Sequence, residues 1–155
     1  MGTVIERLAD LGITLPAAPK PLGNFSPYLV DDGYLYISGQ ISIDLDGEMV
    51  RGKLGQDVDL EAGIEAARFC AIGILARAQA AVGDLGKIAK LVKLGAFVNA
   101  VPEFSDHPKV VNGASDLMVD VFGPEIADHV RFAVGSGSLP ANAAVEIEAV
   151  FRLKP

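Results

Sequence analysis

Two long segments of the chain carry the spacing of helices that bury one face. Between positions 59 and 82 apolar residues recur every three or four positions, and a glycine follows the last of them. The same spacing runs from about 108 to 122. A shorter helix is predicted over about 3–11, because Thr3 and Glu6 have the spacing of a capping box and an apolar stripe follows them.

Shorter segments around these helices are typical of strands. An Asp-Gly pair favours the positive φ angles of a tight hairpin, so Asp31-Asp32-Gly33 predicts a turn between two strands and Asp46-Gly47 predicts a second turn. The segment 88–98 is apolar on both faces, which predicts an interior strand. In the last strand the apolar residues occupy odd positions and the glutamates point the other way. The predicted strands lie within residues 28–43, 88–98, 130–135 and 145–151.

The order of these elements predicts the fold class. After the short helix come two strands, a helix, a strand, a helix and two strands. We expect a single α+β domain over residues 1–155, with a mixed sheet of about six strands and two long helices packed on one sheet face. The prolines between 16 and 27 predict an extended connection. The other sheet face must also be covered, and self-association is the simplest way to cover it.

The composition narrows the range of partners and compartments. The chain has 13 Lys and Arg residues against 20 Asp and Glu residues, a net charge of -7, and its basic residues are scattered. A nucleic-acid partner is therefore disfavoured, because such binding relies on grouped positive charge. The single cysteine excludes an intramolecular disulfide, and neither a signal-peptide pattern nor a membrane-spanning apolar segment is present. We expect a soluble, cytoplasmic protein with no membrane partner.

Several familiar chemistries are disfavoured by the residues available. His107, His129 and Cys70 are too few for a zinc cluster, and no calcium-binding loop pattern occurs, so we expect no metal and no cofactor. The glycine-rich stretch 135–138 has neither the spacing of a serine nucleophile turn nor a helix after it, which predicts a plain loop. Cys70 is predicted to be a packed helical side chain, and both histidines are predicted to be exposed loop residues.

The remaining informative residues form an ordered set along the chain. Tyr28 follows a proline, Ser38-Gly39-Gln40 ends a strand, and Asn112 follows a valine on an otherwise apolar helix face. The closing block reads Arg131-Phe132-Ala133-Val134, then Leu139-Pro140, then Val145-Glu146-Ile147-Glu148. Over about residues 24–151 this set resembles the RidA/YjgF family, also called the endoribonuclease L-PSP family, and the closing block is its most specific part.

The resemblance implies a chorismate-mutase-like fold and a homotrimer with small-molecule clefts between subunits, in a longer subgroup of the family. The best-known family activity is hydrolysis of reactive enamines and imines of small carboxylates, giving a 2-keto acid and ammonia without metal or cofactor. Arg131 would bind the substrate carboxylate through two parallel hydrogen bonds, and Glu146 would orient or activate the attacking water. The same cleft would be lined by Tyr28, Ser38, Gly39 and Asn112.

Three positions depart from the family pattern. Phe132 and Ala133 follow the arginine, where many members have a hydroxyl residue and then often a cysteine. Leu29 occupies a position where a polar residue is common. If Phe132 points into the cleft, it reshapes the pocket and removes a hydrogen-bond donor, so a different small carboxylate is also a plausible ligand.

Three functions therefore stay open. The first is an imine or enamine deaminase that acts on a small anionic metabolite, and the second is a non-catalytic trimeric module that binds a metabolite or a partner protein in the same cleft. The third is an endoribonuclease activity of the L-PSP type, which the acidic composition disfavours. For individual residues, Arg131 could instead form a surface ion pair, and Glu146 could be a solvated strand residue like Glu148.

Overall fold

The computed structural model describes residues 2–18, 20–21 and 23–155. Helix α1 spans Val4–Asp10, and its capping box is present: the Thr3 hydroxyl accepts from the Glu6 N–H at 3.2 Å, and the Glu6 carboxylate accepts from the Thr3 N–H at 2.7 Å. The described residues between 16 and 27 form neither helix nor strand, as predicted. Pro19 and Leu22 lie outside the described residues.

Five strands form one sheet among the described residues, where about six were expected. The sheet has the order β1-β2-β5-β3-β4, and all neighbours are antiparallel except β3 and β4, which are parallel. The predicted turn at Asp46-Gly47 exists, with a positive φ at Gly47, but only an isolated bridge between Ile43 and Met49 flanks it, so it adds no strand. The strands are β1 Tyr28–Asp31, β2 Tyr34–Ile41, β3 Ile88–Asn99, β4 Val130–Ser136 and β5 Val145–Leu153.

The first hairpin confirms its sequence signal. Asp32 and Gly33 both have positive φ angles, 48° and 78°, which is the conformation of the tight turns that match the twist of two antiparallel strands. Tyr28 therefore pairs with Ile37, and the side chains of both residues lie on the sheet face that the helices cover.

The two long helices begin and end close to their predicted limits. Helix α2 spans Leu60–Val82, with its first turn capped by the Asp59 carboxylate, and α3 spans His107–Phe122. The sequence pattern did not predict the short α4, Pro124–Ala127, or the two 3-10 turns, Leu85–Lys87 and Pro140–Asn142. Where the helices cross, a Cβ added to Gly113 would overlap the carbonyl oxygen of Ile64, so this glycine permits their close contact.

Both long helices pack on the same sheet face, and the core lies between them and the sheet. We call the opposite side of the sheet the open face. In β5 the odd positions are buried against the helices, while Glu146 and Glu148 lie on the open face. Large apolar side chains are also exposed there, namely Leu29, Tyr36, Phe97, Val130 and Val134. Covering of this face by further copies of the chain stays a prediction.

Candidate functional site

Arg131 lies on the edge strand β4 and faces helix α3. Its Nη1 donates to the Ser115 hydroxyl at 2.9 Å, and its Nη2 donates to the Pro108 carbonyl at 3.0 Å. Partial burial lowers the pKa of the guanidinium from its ordinary value, and the charge of Asp116 opposes this shift. The ion pairs found among the described residues are Lys90–Asp128 and Lys109–Asp106. Arg131 is thus oriented by neutral acceptors and not by a carboxylate.

The Ser115 hydroxyl links Arg131 to His129. His129 Nε2 lies 3.0 Å from the Ser115 oxygen, and Nδ1 lies 2.5 Å from the Ala127 carbonyl. Because a carbonyl can only accept, we assign the hydrogen of the neutral ring to Nδ1, which leaves Nε2 to accept from the serine hydroxyl. A chain of hydrogen bonds therefore runs from the Arg131 guanidinium through Ser115 and His129 to the backbone.

The prediction that both histidines are exposed loop residues is wrong for His107 and only partly right for His129, which lies in a loop but is not exposed. His129 is half-buried by the contacts just described, and His107 is the first residue of α3. The His107 ring is also half-buried and meets the Phe104 ring edge-on, with 5.2 Å between centroids. The contact between Ser115 and His129 joins different segments of the chain, and local sequence patterns carry no signal for it.

Asn112 lies on the polar side of α3, so its predicted place on an otherwise apolar face is wrong. It is exposed, whereas its neighbours Val110 and Val111 are buried. Asn112 nevertheless lies one helical turn after Pro108 and about one turn before Ser115, both of which bind the Arg131 guanidinium. Helical geometry therefore places it on the surface of α3 along which the guanidinium runs.

Glu146 lies on the open face at the middle of the sheet. Its register partners are Ile41 on β2 and Phe97 on β3. The side chain is half-buried, and burial raises the pKa of its carboxyl above the ordinary glutamate value. A Cβ built on Gly39 would lie 3.0 Å from the Glu146 carboxyl carbon, so the missing side chain at Gly39 lets this carboxyl approach the backbone closely.

Gly39 lies in an irregularity of β2 between Ile37 and Gln40, where the register against β5 shifts. Ser38 precedes it, donates its N–H to the Pro27 carbonyl at 3.0 Å, and accepts from Gln40 Nε2 at its own carbonyl, also at 3.0 Å. Gln40 in turn accepts from Nε of Arg77 on α2 at 3.4 Å. The Ser38-Gly39-Gln40 segment is thus held from both sides, and Gly39 presents its backbone to Glu146.

Arg77 was not among the residues that the sequence suggested for the site. It is only 7% exposed, and burial lowers the pKa of its guanidinium, which the nearby Tyr28 opposes. Its position on the buried side of a helix is the available signal, because a cation there needs polar partners. Arg77 donates a hydrogen bond to the Gln40 side chain from the helix side of the sheet, and Tyr28 lies at the same end of the sheet.

One chain does not bring all the predicted site residues together. Arg131 and Asn112 lie at the β4 end of the sheet on the helix side, whereas Gly39 and Glu146 lie on the open face around β2 and β5. Strand β3 separates β4 from β5, and Arg131 is in register with Leu94, three residues from the register position of Glu146. Arg131 and Glu146 therefore point to opposite sides of the sheet.

Phe132 follows the strand alternation and points to the open face, away from the Arg131 guanidinium. Its ring contacts the Phe97 ring edge-on, with 5.4 Å between centroids, and Lys93 Nζ lies 5.3 Å from its centre. Within one chain Phe132 therefore does not occupy the space around the guanidinium, and it belongs to the exposed apolar surface of the sheet.

A mixed five-stranded sheet with both long helices on one face is an α+β architecture of the chorismate-mutase-like class. The family model described as "YjgF/chorismate_mutase-like, putative endoribonuclease" matches residues 5–151, and the chain belongs to this family. The resemblance predicted from the ordered motifs is thereby confirmed. No helix within residues 2–18, 20–21 and 23–155 combines the length and the hydropathy needed to cross a membrane.

Similar proteins include one without a stated activity and one named for an activity. Protein TCP17 of Trypanosoma cruzi is 43% identical over 152 residues, which are 98% of this chain and 95% of that protein. A Dermatophagoides farinae protein named 2-iminobutanoate/2-iminopropanoate deaminase is 29% identical over 89% of this chain and 92% of its own. The crystal structure of Agrobacterium tumefaciens Atu1372, of unknown function, is 44% identical with a TM-score of 0.89, covering 98% of this chain and 94% of that one.

Proposed function

We propose that the protein hydrolyses an enamine or imine of a small carboxylate in clefts between copies of the chain, three of which form a homotrimer. The observation that carries this proposal is the separation of Arg131 from Glu146 within one chain. Arg131 keeps N–H donors that no group in the described part of the chain accepts, and the Glu146 carboxyl keeps oxygens that no such group binds. A cleft between neighbouring copies can combine the arginine of one with the glutamate of the next. The exposed apolar side chains of the open face support association through that face.

Arg131 has the properties of a carboxylate anchor. A guanidinium carries five N–H donors, of which Ser115 and Pro108 accept two, so each terminal nitrogen keeps a second donor. The two existing bonds fix the plane of the group before substrate arrives, which lowers the entropy lost on binding. Two parallel charge-assisted hydrogen bonds then hold the substrate carboxylate.

Glu146 has the properties of the group that handles water and protons. Burial raises the pKa of its carboxyl towards neutral pH. A group whose pKa lies nearer the working pH can both accept and donate a proton. The Glu146 carboxyl group forms no hydrogen bond or ion pair among the described residues, so the carboxyl oxygens are available to a water molecule. Water adds to the iminium carbon and loses a proton to Glu146, which gives a carbinolamine. Glu146 returns this proton to the nitrogen, and the C–N bond breaks as the new hydroxyl becomes the ketone carbonyl. The hydroxyl proton leaves with the ammonia as ammonium, and the 2-keto acid is the other product.

The name of the Dermatophagoides farinae relative supports the choice of reaction, since that protein is called a deaminase of 2-iminobutanoate and 2-iminopropanoate. The test is ammonia release from freshly generated 2-aminoacrylate. Arg131→Ala is expected to lower kcat/KM by at least about tenfold, the loss of one or more charge-assisted hydrogen bonds, and Lys154→Ala serves as an exposed control. Equal rates for wild type and Arg131→Ala would rule the proposal out.

A non-catalytic binding module is the second candidate, and the environment of Arg131 favours it in one respect. Phe132 points to the open face and the Ala133 side chain is a methyl group, so these two residues place no hydroxyl or thiol beside the guanidinium. This candidate predicts that a small carboxylate raises the melting temperature through Arg131 while no enamine is consumed.

A further inference from the structure

A pocket with a volume of about 630 Å³ lies where the parallel strands β3 and β4 end. Neither Arg131 nor Glu146 lines it, and the sequence pattern did not predict it. The loops that form it come from three separated parts of the chain. Its lining includes Lys53, Gln56, Val101, Phe104, His107 and Ser136.

Lys53 brings a positive charge to this pocket without a bound counter-ion. Its ammonium donates to the Asn99 side-chain oxygen at 2.9 Å and to the Gly137 carbonyl, both of which are uncharged. The Asp57 carboxylate instead accepts from the Lys53 backbone N–H at 2.6 Å, and the two ion pairs of the described residues do not include Lys53. An ammonium has three donors, so one remains for a ligand.

The position of the Lys53 ammonium is fixed by a buried amide. Asn99 is fully buried, and its Nδ2 donates to the Ala143 carbonyl and to the Asn142 side chain, each at 3.1 Å. These bonds leave the Asn99 oxygen directed at Lys53. The charge is therefore positioned before any ligand binds, which reduces the entropy lost on binding.

The rest of the pocket combines apolar walls with a few polar groups. Val101 and Phe104 supply apolar surface, and the Phe104 ring meets the half-buried His107 ring edge-on at 5.2 Å. The His107 ring also lies against Gly135, where an added Cβ would come within 2.8 Å of Nε2. A wall of this kind suits an apolar group more than a second charge, and the volume exceeds that of an inorganic anion.

We propose that this pocket binds a small organic anion, with its carboxylate or phosphate group on Lys53 and its apolar part against Val101 and Phe104. The proposal is independent of the function assigned to Arg131. It adds a second anion site to the chain, on the side of the fold where β3 and β4 end.

The chain contains its own reporters for the test. It has two histidines, of which His107 lines this pocket and His129 belongs to the hydrogen-bond chain of Arg131. In the NMR spectrum of the untagged protein, with its histidine rings isotopically labelled, the ring signals of one histidine therefore report on each site. The probes are hexanoate and hexyl phosphate, which share the apolar tail and differ in the acidic group, with hexan-1-ol as the uncharged control.

We expect both anions to shift the His107 signal in a saturable way and hexan-1-ol to leave it unchanged. Lys53→Met should weaken this binding by at least about tenfold, the effect of losing one charge-assisted hydrogen bond, while Lys154→Met, at an exposed lysine outside the pocket, should not. Gln56→Glu is nearly isosteric, lies at an exposed position of the lining, and should weaken binding through charge repulsion even if Lys53→Met does not fold.

The proposal is overturned if the anions leave the His107 signal unchanged, or if the shift persists unchanged in folded Lys53→Met or in Gln56→Glu. It is also overturned if the His107 shift disappears in Arg131→Ala, because the ligand then binds at Arg131. A His107 shift that survives Arg131→Ala supports the proposal whether or not that variant has lost activity, so the two proposals fail separately.

Discussion

Removing the Ser115 hydroxyl tests whether Arg131 is held in place by the hydrogen bonds around it. Ser115 accepts from Arg131 at 2.9 Å and lies 3.0 Å from His129 Nε2, so Ser115→Ala deletes two contacts, one of them to a charged donor. A neutral hydrogen bond contributes about 0.5–1.5 kcal/mol and a charged one about 1.5–3 kcal/mol. Because the residues are only half-buried, water can replace part of the lost hydrogen bonding. We therefore expect the free energy of unfolding to fall by about 2 kcal/mol.

For a domain of this length such a loss lowers the melting temperature by about 4–8 °C when protein concentration is held constant. Ser105→Ala is the matched control, because Ser105 is exposed and its hydroxyl makes no hydrogen bond among the described residues. If Arg131 binds the substrate carboxylate, the loosened guanidinium also raises KM for 2-aminoacrylate by about tenfold with a smaller change in kcat. A Ser115→Ala protein with the stability and the KM of the control would show that the hydrogen-bond chain does not orient Arg131.

Two further variants test the surroundings of the carboxyl on the open face. Burial raises the pKa of the Glu146 carboxyl in the folded chain above that in the unfolded chain, which is about 4.3. The folded state is therefore favoured while the carboxyl is protonated, and this contribution to stability is lost as the pH rises through the folded-state pKa. Glu146→Gln should therefore unfold at higher urea concentration than wild type at pH 7.5, lose this advantage near pH 4, and be inactive; lower stability at pH 7.5 would contradict the assignment. Gly39→Ala places a Cβ 3.0 Å from the Glu146 carboxyl carbon and should lower kcat about three- to tenfold with little change in stability, and an unchanged kcat would show that the position of this carboxyl does not matter.

Local elements of the fold could be predicted from the sequence because their causes are local. The capping box at Thr3 and Glu6 and the turn at Asp32-Gly33 depend on residues no more than three positions apart. The limits of α2 follow from its apolar spacing, the Asp59 cap and the glycine after Val82. In each case the interaction that fixes the structure lies within the segment that signals it.

The arrangement of strands could not be predicted in this way. Strand β5 comes last in the chain but lies between β2 and β3, and only β3 and β4 are parallel. The turn at Asp46-Gly47 was recognised, but the sequence did not show that only an isolated bridge between Ile43 and Met49 would flank it. Register is set by side chains that meet across the sheet, which a single sequence does not reveal.

The candidate site shows the same division. The residue types at Arg131 and Glu146 were recognised from the closing motif, but their placement on opposite sides of the sheet follows from the register of β4 and β5 against β3. The half-buried state of His129 and the link from Lys53 to Gly137 depend on contacts that span 14 and 84 positions of the chain. Short motifs therefore indicated which side chains to consider, and the tertiary structure decided which of them meet.

The most direct test of a cleft shared between copies is a mixture of two inactive chains. Arg131→Ala and Glu146→Gln are produced separately, unfolded and refolded together at equal concentrations, and assayed for ammonia release from 2-aminoacrylate. If each cleft takes its arginine from one copy and its glutamate from the next, random assembly restores about one quarter of the wild-type activity, because each correct side chain is supplied with a probability of about one half. Activity no higher than that of the separate variants would contradict a shared cleft.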